Sequence, residues 1–112
     1  MEVMDMPMDL GSWIMKPNVF ISFPMNGLSK TEIVDKMHSI QYNLERFFGD
    51  NVNYIDSILD GENLEPLWCL GESIKLLSEA DIAVFDHNWE KARGCRIEHA
   101  CAIEYNIPIL VL

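Results

Sequence analysis

Residues 92–112 read ARGCRIEHACAIEYNIPILVL, and this stretch decides the fold. It contains a loop that turns at Gly94 into a helix, and the apolar run at 107–112 predicts a strand after that helix. Residues spaced three, four and seven apart share one side of a helix. The stripe that this spacing predicts is Gly94, Ile97, Glu98, Cys101 and Tyr105. Because the stripe is otherwise small or apolar, we expect it to be buried with Glu98 pointing inward, and a buried carboxylate needs a partner or a chemical role.

The chain before this stretch alternates apolar runs with amphipathic segments. The apolar runs at 18–23, 52–55, 81–85 and 107–112 predict four strands. Helices are predicted to begin at Ser29, where Ser29 and Glu32 are spaced as a capping box, at Pro66, and at Gly94. The alternation predicts an α/β fold, a three-layer sandwich with a four-stranded parallel sheet.

Each of the first two helices carries an apolar stripe that we expect to face the core. The stripe of the first helix is Ile33, Met37, Ile40, Leu44 and Phe47. The stripe of the second is Leu67, Leu70, Ile74 and Leu77. Right-handed crossovers bring the loops after the strands to one edge of the sheet, at 23–28, 56–64 and 86–93. A ligand is expected at this edge, which Glu98 also faces.

Length and charge limit the class of protein. At 112 residues the chain has room for one domain, which we place at 16–112, after a poorly specified N-terminal extension at 1–15. A net charge of −10 argues against binding to a nucleic-acid polymer or to an anionic membrane surface, because both need clustered cations. An odd number of cysteines without a CxxC spacing predicts thiols in a reducing compartment, so we expect a cytoplasmic protein without a bound metal or other cofactor.

Three stretches of the chain resemble one known family. They are FISFPMNGLS at 20–29, LSEADIAVF at 77–85 and WEKARGCRIEHACAIEYNIPILVL at 89–112. They are similar to small, often phage-encoded, proteins of the nucleoside 2-deoxyribosyltransferase superfamily. The resemblance implies a flavodoxin-like fold. It also implies that Glu98, in a Gly-x-x-x-Glu helix start at Gly94, is a catalytic glutamate that attacks the sugar C1′.

The sequence departs from this family around the sugar. Positions that carry acids in characterised members hold Ser73 and Ala92 here, and a tyrosine of the first strand is replaced by Phe20. The nucleophile therefore matches the family, whereas the residues that hold the substrate do not.

The ligand-binding residues that we predict come from two loops and the start of the last helix. They are Ser22, Pro24, Met25, Asn26, Gly27, Asn88, Trp89, Arg93 and Gly94. Backbone amides of the first loop, at the start of a helix, suit a phosphate, although a simple capped turn has the same pattern. Trp89 is interpreted either as a platform for a base or as a packing residue. Arg93 is interpreted either as a phosphate ligand or as a surface arginine.

Two side chains of the last helix keep open alternatives. Glu98 is either the nucleophile or a glutamate that caps the helix or pairs with Arg93 or Arg96. For a nucleophile, which must be ionised, we expect the helix dipole and any nearby arginine to lower its pKa by more than partial desolvation raises it. Cys95 is either a reactive thiol or a small helix residue, and His99 is expected to face solvent.

Two functions follow as expectations. The first is an N-glycosidase or deoxyribosyltransferase that acts on a (deoxy)nucleoside or its 5′-monophosphate. The second is a non-catalytic nucleotide-binding protein, a sensor or a sequestering protein, on the same fold. The expected partners are a small-molecule nucleoside or nucleotide and further copies of the chain, because the superfamily shares active sites between subunits.

Overall fold

Four strands alternate with three α-helices in the computed structural model, which describes residues 16–58 and 65–112. The elements are β1 (Asn18–Ser22), α1 (Lys30–Phe48), β2 (Asn53–Tyr54), α2 (Pro66–Leu77), β3 (Ile82–Phe85), a 3₁₀ turn (Trp89–Lys91), α3 (Arg93–Glu104) and β4 (Ile109–Val111). The predicted extension at 1–15 and the part of the second loop at 59–64 lie outside the described residues.

The sheet is parallel throughout, with strand order β2-β1-β3-β4. This confirms the predicted four-stranded parallel sheet, and the order matches the first four strands of the flavodoxin-like arrangement. The order reverses at β1, which lies between β2 and β3. A ligand crevice in such folds lies beyond the carboxyl ends of the strands at this switch, where Ser22 ends β1 and Asp86 follows β3.

Two apolar clusters hold the helices against the sheet. Alternate residues of a strand point to opposite faces, and the strands divide accordingly: Val19 and Ile21 of β1 belong to one cluster and Phe20 to the other. Helix α1 joins the first cluster, whereas α2 and α3 join the second through Leu77 and Ala102. This division agrees with a three-layer sandwich.

Helix α1 begins and ends where the sequence predicts. The Ser29 side chain accepts from the Glu32 amide, the Glu32 side chain accepts from the Ser29 amide, and Gly49 ends the helix at φ 63°. One position of its predicted stripe is wrong, because Phe47 is 70% exposed and Phe48 packs against the first cluster instead. A period of 3.6 residues carries the buried side from Leu44 to residue 48 rather than to residue 47.

The predicted stripes of α2 and α3 are each wrong at one end. Leu67 is 79% exposed in the first turn of α2, and Tyr105 is 80% exposed because α3 ends at Glu104. The buried residues of α3 are Cys95, Glu98 and Ala102. This stripe also has spacings of three and four residues but is rotated slightly from the predicted one, and Glu98 belongs to both.

Among residues 16–58 and 65–112, no helix combines the length and the apolar character that crossing a membrane requires.

Candidate active site

Glu98 lies in the second turn of α3 and is buried, with 7% of its surface exposed. Its carboxylate contacts two other elements. The Ser22 hydroxyl, at the end of β1, donates to Oε1 at 2.7 Å. The Ser73 hydroxyl, from the middle of α2, donates to Oε2. Each carboxylate oxygen therefore accepts a hydrogen bond, and the side chain is held in one orientation between the sheet and α2.

Burial raises the pKa of Glu98 above its ordinary value, and the hydrogen bonds from Ser73 and Ser22 lower it by less. The expected lowering by arginines was wrong. Arg96 donates through Nη1 to the Glu90 carbonyl at 2.7 Å, and no ion pair joins an arginine to Glu98 in the described parts of the chain. The reason is geometric: Arg93 and Arg96 lie on the exposed side of α3, away from the buried stripe.

The role of Ser73 was missed by the sequence analysis. The family resemblance marked this position only as one where an acid is replaced. In the structure the replacement hydroxyl contacts the candidate nucleophile directly. A serine inside an amphipathic helix carries no pattern that predicts such a contact, because the partner lies 25 residues further along the chain.

Asp86 is a second buried carboxylate at this edge, with 4% of its surface exposed. Its backbone amide donates to the Ser22 carbonyl at 3.0 Å. Lys36 Nζ of α1 lies 3.1 Å from Oδ2, and His87 Nδ1 lies 3.2 Å from Oδ1. The only sequence signal for Asp86 is its position, a polar residue directly after a buried parallel strand.

Cys95 lies among these groups. Burial raises the pKa of its thiol, a hydrogen bond with Ser22 lowers it, and the charges of Glu98 and Asp86 raise it further. The raised pKa and the burial of the side chain favour the alternative that Cys95 is a small buried helix residue. The sequence suggested the opposite because Arg93 and Arg96 are its neighbours along the chain, whereas its neighbours in space are carboxylates.

The first loop follows Ser22 at the same edge. The Leu28 amide donates to the Met25 carbonyl at 3.0 Å, and Gly27 adopts φ 85°, a left-handed conformation that favours glycine. Met25 packs partly against the first cluster, Pro24 is half-buried, and Asn26 is exposed. Of the five residues predicted here, Ser22 is the one whose side chain contacts Glu98.

The third loop is ordered by aromatic contacts. The rings of Trp89 and His99 stack with centroids 3.9 Å apart and planes 7° apart, and Phe85 meets both rings edge-on. His99 is thus half-buried, and the prediction that it faces solvent was wrong. These contacts favour the packing interpretation of Trp89. Asn88 keeps a buried Oδ1 that accepts no hydrogen bond from the described residues.

Arg93 is the exposed first residue of α3, and Gly94, the next residue, is half-buried. Neither contacts Glu98 through a described hydrogen bond or ion pair. Within residues 16–58 and 65–112, no group of three or more His, Cys, Asp or Glu side chains is arranged to hold a metal ion.

Comparison with protein-family models gives no match for this chain, and comparison with curated proteins gives none either.

Two hydroxyls fix the direction of the Glu98 carboxylate, and little of its surface is exposed to solvent. A desolvated carboxylate, when ionised, attacks an electrophilic carbon without first losing a hydration shell.

Proposed function

We propose that this chain is an N-glycosidase or deoxyribosyltransferase that acts on a (deoxy)nucleoside or its 5′-monophosphate, with Glu98 as the nucleophile. One observation carries the proposal: Glu98 is buried at the carboxyl edge of a parallel sheet, with both oxygens oriented by hydroxyls. The resemblance in the Gly94–Glu98 segment supplies the class of substrate.

The reaction runs in two steps. One oxygen of Glu98 forms a bond to C1′ while the C1′–N bond breaks, and the base leaves with the electron pair. Water then opens the resulting sugar ester in hydrolysis, or a second base opens it in transfer. Ser22 and Ser73 orient the carboxylate toward the sugar. Their hydrogen bonds to Glu98 weaken as the attacking oxygen bonds to C1′ and loses its negative charge.

The first loop and the start of α1 are proposed to bind the 5′ end of the substrate. Asn26 and Gly27 are exposed there, shortly before the N-terminus of a 19-residue helix whose dipole favours a phosphate. Arg93, exposed at the start of α3, supplies a positive charge at the same edge. We propose a cytoplasmic location, in keeping with the free thiols of Cys95 and Cys101.

The second candidate is a non-catalytic nucleotide-binding protein. The observation in its favour is that both oxygens of Glu98 are already hydrogen-bonded and that burial raises its pKa. A carboxylate in that state can also serve as a structural link between β1, α2 and α3.

The test is release of free base, measured by chromatography, from the common nucleosides, 2′-deoxynucleosides and their 5′-monophosphates. We expect release by the wild type and a loss of about a thousandfold or more in Glu98→Gln, because the amide cannot attack C1′. Nucleotide binding, measured by thermal shift, should persist in the variant. Glu104→Gln is the matched control, since Glu104 is exposed on the same helix. Binding without base release by the wild type would contradict the enzyme and favour the second candidate.

A further inference from the structure

Strand β4 leaves backbone groups open at one edge of the sheet. Within the described residues it is the last strand in the order β2-β1-β3-β4, so only β3 pairs with it. The carbonyl of Pro108 and the amide of Leu112 both bind β3. Because backbone groups alternate in direction along a strand, the amides and carbonyls of Ile109 and Val111 point away from β3, toward the open side.

The features that usually protect an edge strand are missing from β4. Its three residues are all apolar, with no charge or proline among them, and Val111 is 48% exposed. The strand at the opposite edge, β2, has only two residues, and one of them is the polar Asn53. An exposed apolar edge strand is a template for pairing with another strand. The open side of β4 is therefore a candidate interaction surface.

The open groups of β4 lie symmetrically about Leu110. If a second β4 runs antiparallel with its own Leu110 opposite, Ile109 of each copy lies opposite Val111 of the other. Residues paired in this way exchange both of their backbone hydrogen bonds, so every open group of β4 is satisfied. A two-fold axis requires a surface that complements itself, and β4 meets this requirement.

Helix α3 would meet its copy on one face of the joined sheet. It lies over the β3–β4 pair, because Ala102 of α3 packs in one cluster with Phe85 of β3 and Ile109 of β4. Two such helices are separated by two strand spacings, about 10 Å, which is the usual distance between the axes of packed helices. The strand contact and a helix contact are therefore possible at the same time.

The charges on α3 favour the same orientation. Arg93 and Arg96 are exposed near its N-terminus, and Glu104 is exposed at its C-terminus. A two-fold axis through β4 makes the two helices antiparallel, so the basic end of each lies beside the acidic end of the other. The ends of the two helix dipoles also meet with opposite sign. Charge and backbone therefore select one occupant for this edge, a second copy of the chain.

We propose that two copies of this chain associate through antiparallel β4 strands, which joins their four-stranded sheets into one continuous sheet. The contact is separate from the exposed Leu67 in the first turn of α2. A chain that uses both surfaces forms an assembly larger than a dimer.

The test is Val111→Lys, which adds a charge to the exposed edge in both copies. We expect the dissociation constant of the β4 contact to rise by about tenfold or more, measured by sedimentation over a dilution series. Tyr42→Lys is the matched control, since it makes the same change at a residue of α1 that is 69% exposed, and it should associate as the wild type does. An unchanged dissociation constant in Val111→Lys, or a monomeric wild type, would overturn the proposal.

Hydrogen exchange of single amides, followed by NMR, locates the contact. In the wild type the Ile109 amide should exchange at least about tenfold more slowly than in Val111→Lys, because its hydrogen bond is made only across the contact. The Leu112 amide binds β3 and should stay protected in both proteins, which shows that β4 remains folded in the variant. A measurement on the wild type alone is also decisive. If its Ile109 and Val111 amides exchange as fast as those of an unstructured peptide, the proposal is wrong.

Discussion

At the scale of single residues, the candidate site depends on how one carboxylate is partnered. Glu98 is held by two neutral hydroxyls rather than by a cation, so desolvation dominates its pKa. Asp86, by contrast, has Lys36 beside it. Two buried acids at one sheet edge therefore have different partners: hydroxyls for Glu98 and an ammonium for Asp86.

The raised pKa of Glu98 predicts how its replacement changes stability with pH. In the unfolded chain the group titrates near its ordinary value of 4.5, and in the folded chain at a higher pH. Between these two values the native state binds more protons, so the wild type loses stability as pH rises through this window and remains at the lower level above it. The Glu98→Gln variant has no titrating carboxyl group at this position, so its stability does not fall in this pH window for this reason. We expect the variant to gain stability relative to the wild type as pH rises from about 4.5, measured by urea unfolding.

The control for this pH series is Glu104→Gln, which removes an exposed carboxylate from the same helix. Its difference from the wild type should change little over the same range. A Glu98→Gln advantage that shrinks as pH rises would contradict a raised pKa.

Ser73→Ala tests the hydroxyl that replaces an acid. The change leaves Oε2 of a buried carboxylate without this hydrogen bond, and we expect a loss of about 1–3 kcal/mol in the free energy of unfolding. The pKa of Glu98 should rise further, because one of the two bonds that lower it is lost. Carbon NMR of the Glu98 carboxyl measures that pKa. Ser39→Ala, at an exposed position of α1, should be neutral or slightly stabilising, and an equal loss in both variants would argue against the contact.

At the scale of elements, local signals determine where helices begin, and tertiary packing determines which side is buried. Helix α1 starts at a capping box formed within four consecutive residues, so its start was predictable. Helix α3 has no side chain that caps its N-terminus, and its buried side is set by contact with β3 and α2. The predicted stripe of α3 was therefore slightly rotated, although Glu98 remained inside.

The capping box gives a prediction for α1. Ser29→Ala removes the acceptor for the Glu32 amide, and we expect a loss of about 1 kcal/mol in the free energy of unfolding. Ser29→Gly should lower the free energy of unfolding by only about a few tenths of 1 kcal/mol, because glycine leaves the N-terminal amides open to water. Chemical denaturation of both variants checks the order, and an equal cost for both would contradict a capping role.

At the scale of the whole molecule, eight large apolar side chains of the described residues are exposed. They are Leu28, Tyr42, Phe47, Leu67, Trp68, Ile103, Tyr105 and Val111. Leu67 and Trp68 begin α2, at the sheet edge that carries Glu98. Association of two copies there would cover apolar surface close to the candidate site.

We therefore predict a homodimer or larger assembly, measured by light scattering at concentrations on the order of tens of micromolar. The double variant Leu67→Ser, Trp68→Ser should shift the protein toward the monomer, because it removes exposed apolar surface at the start of α2. Phe47→Ser, which removes an exposed ring from α1, is the matched control. A monomeric wild type at these concentrations would contradict the prediction.

The sequence by itself determined the alternation of strands and helices, the parallel sheet, the capping of α1 and the inward direction of Glu98. These features depend on periodicity and on sterics that act within a few residues, so a single stretch such as 92–112 contains the information. The predicted loop residues lie at the expected edge for the same reason, since a parallel sheet places the end of every strand on one side.

Only the tertiary structure decided the strand order, the partners of Glu98 and the direction of its pKa. Ser22 lies 76 residues and Ser73 lies 25 residues from Glu98 along the chain. Lys36 of α1 forms an ion pair with Asp86, which directly follows β3. No local pattern encodes such contacts, because they depend on how separate elements are placed against each other. Desolvation is likewise a property of the assembled core, and for this reason the charges adjacent to Glu98 in the sequence predicted the wrong direction for its pKa.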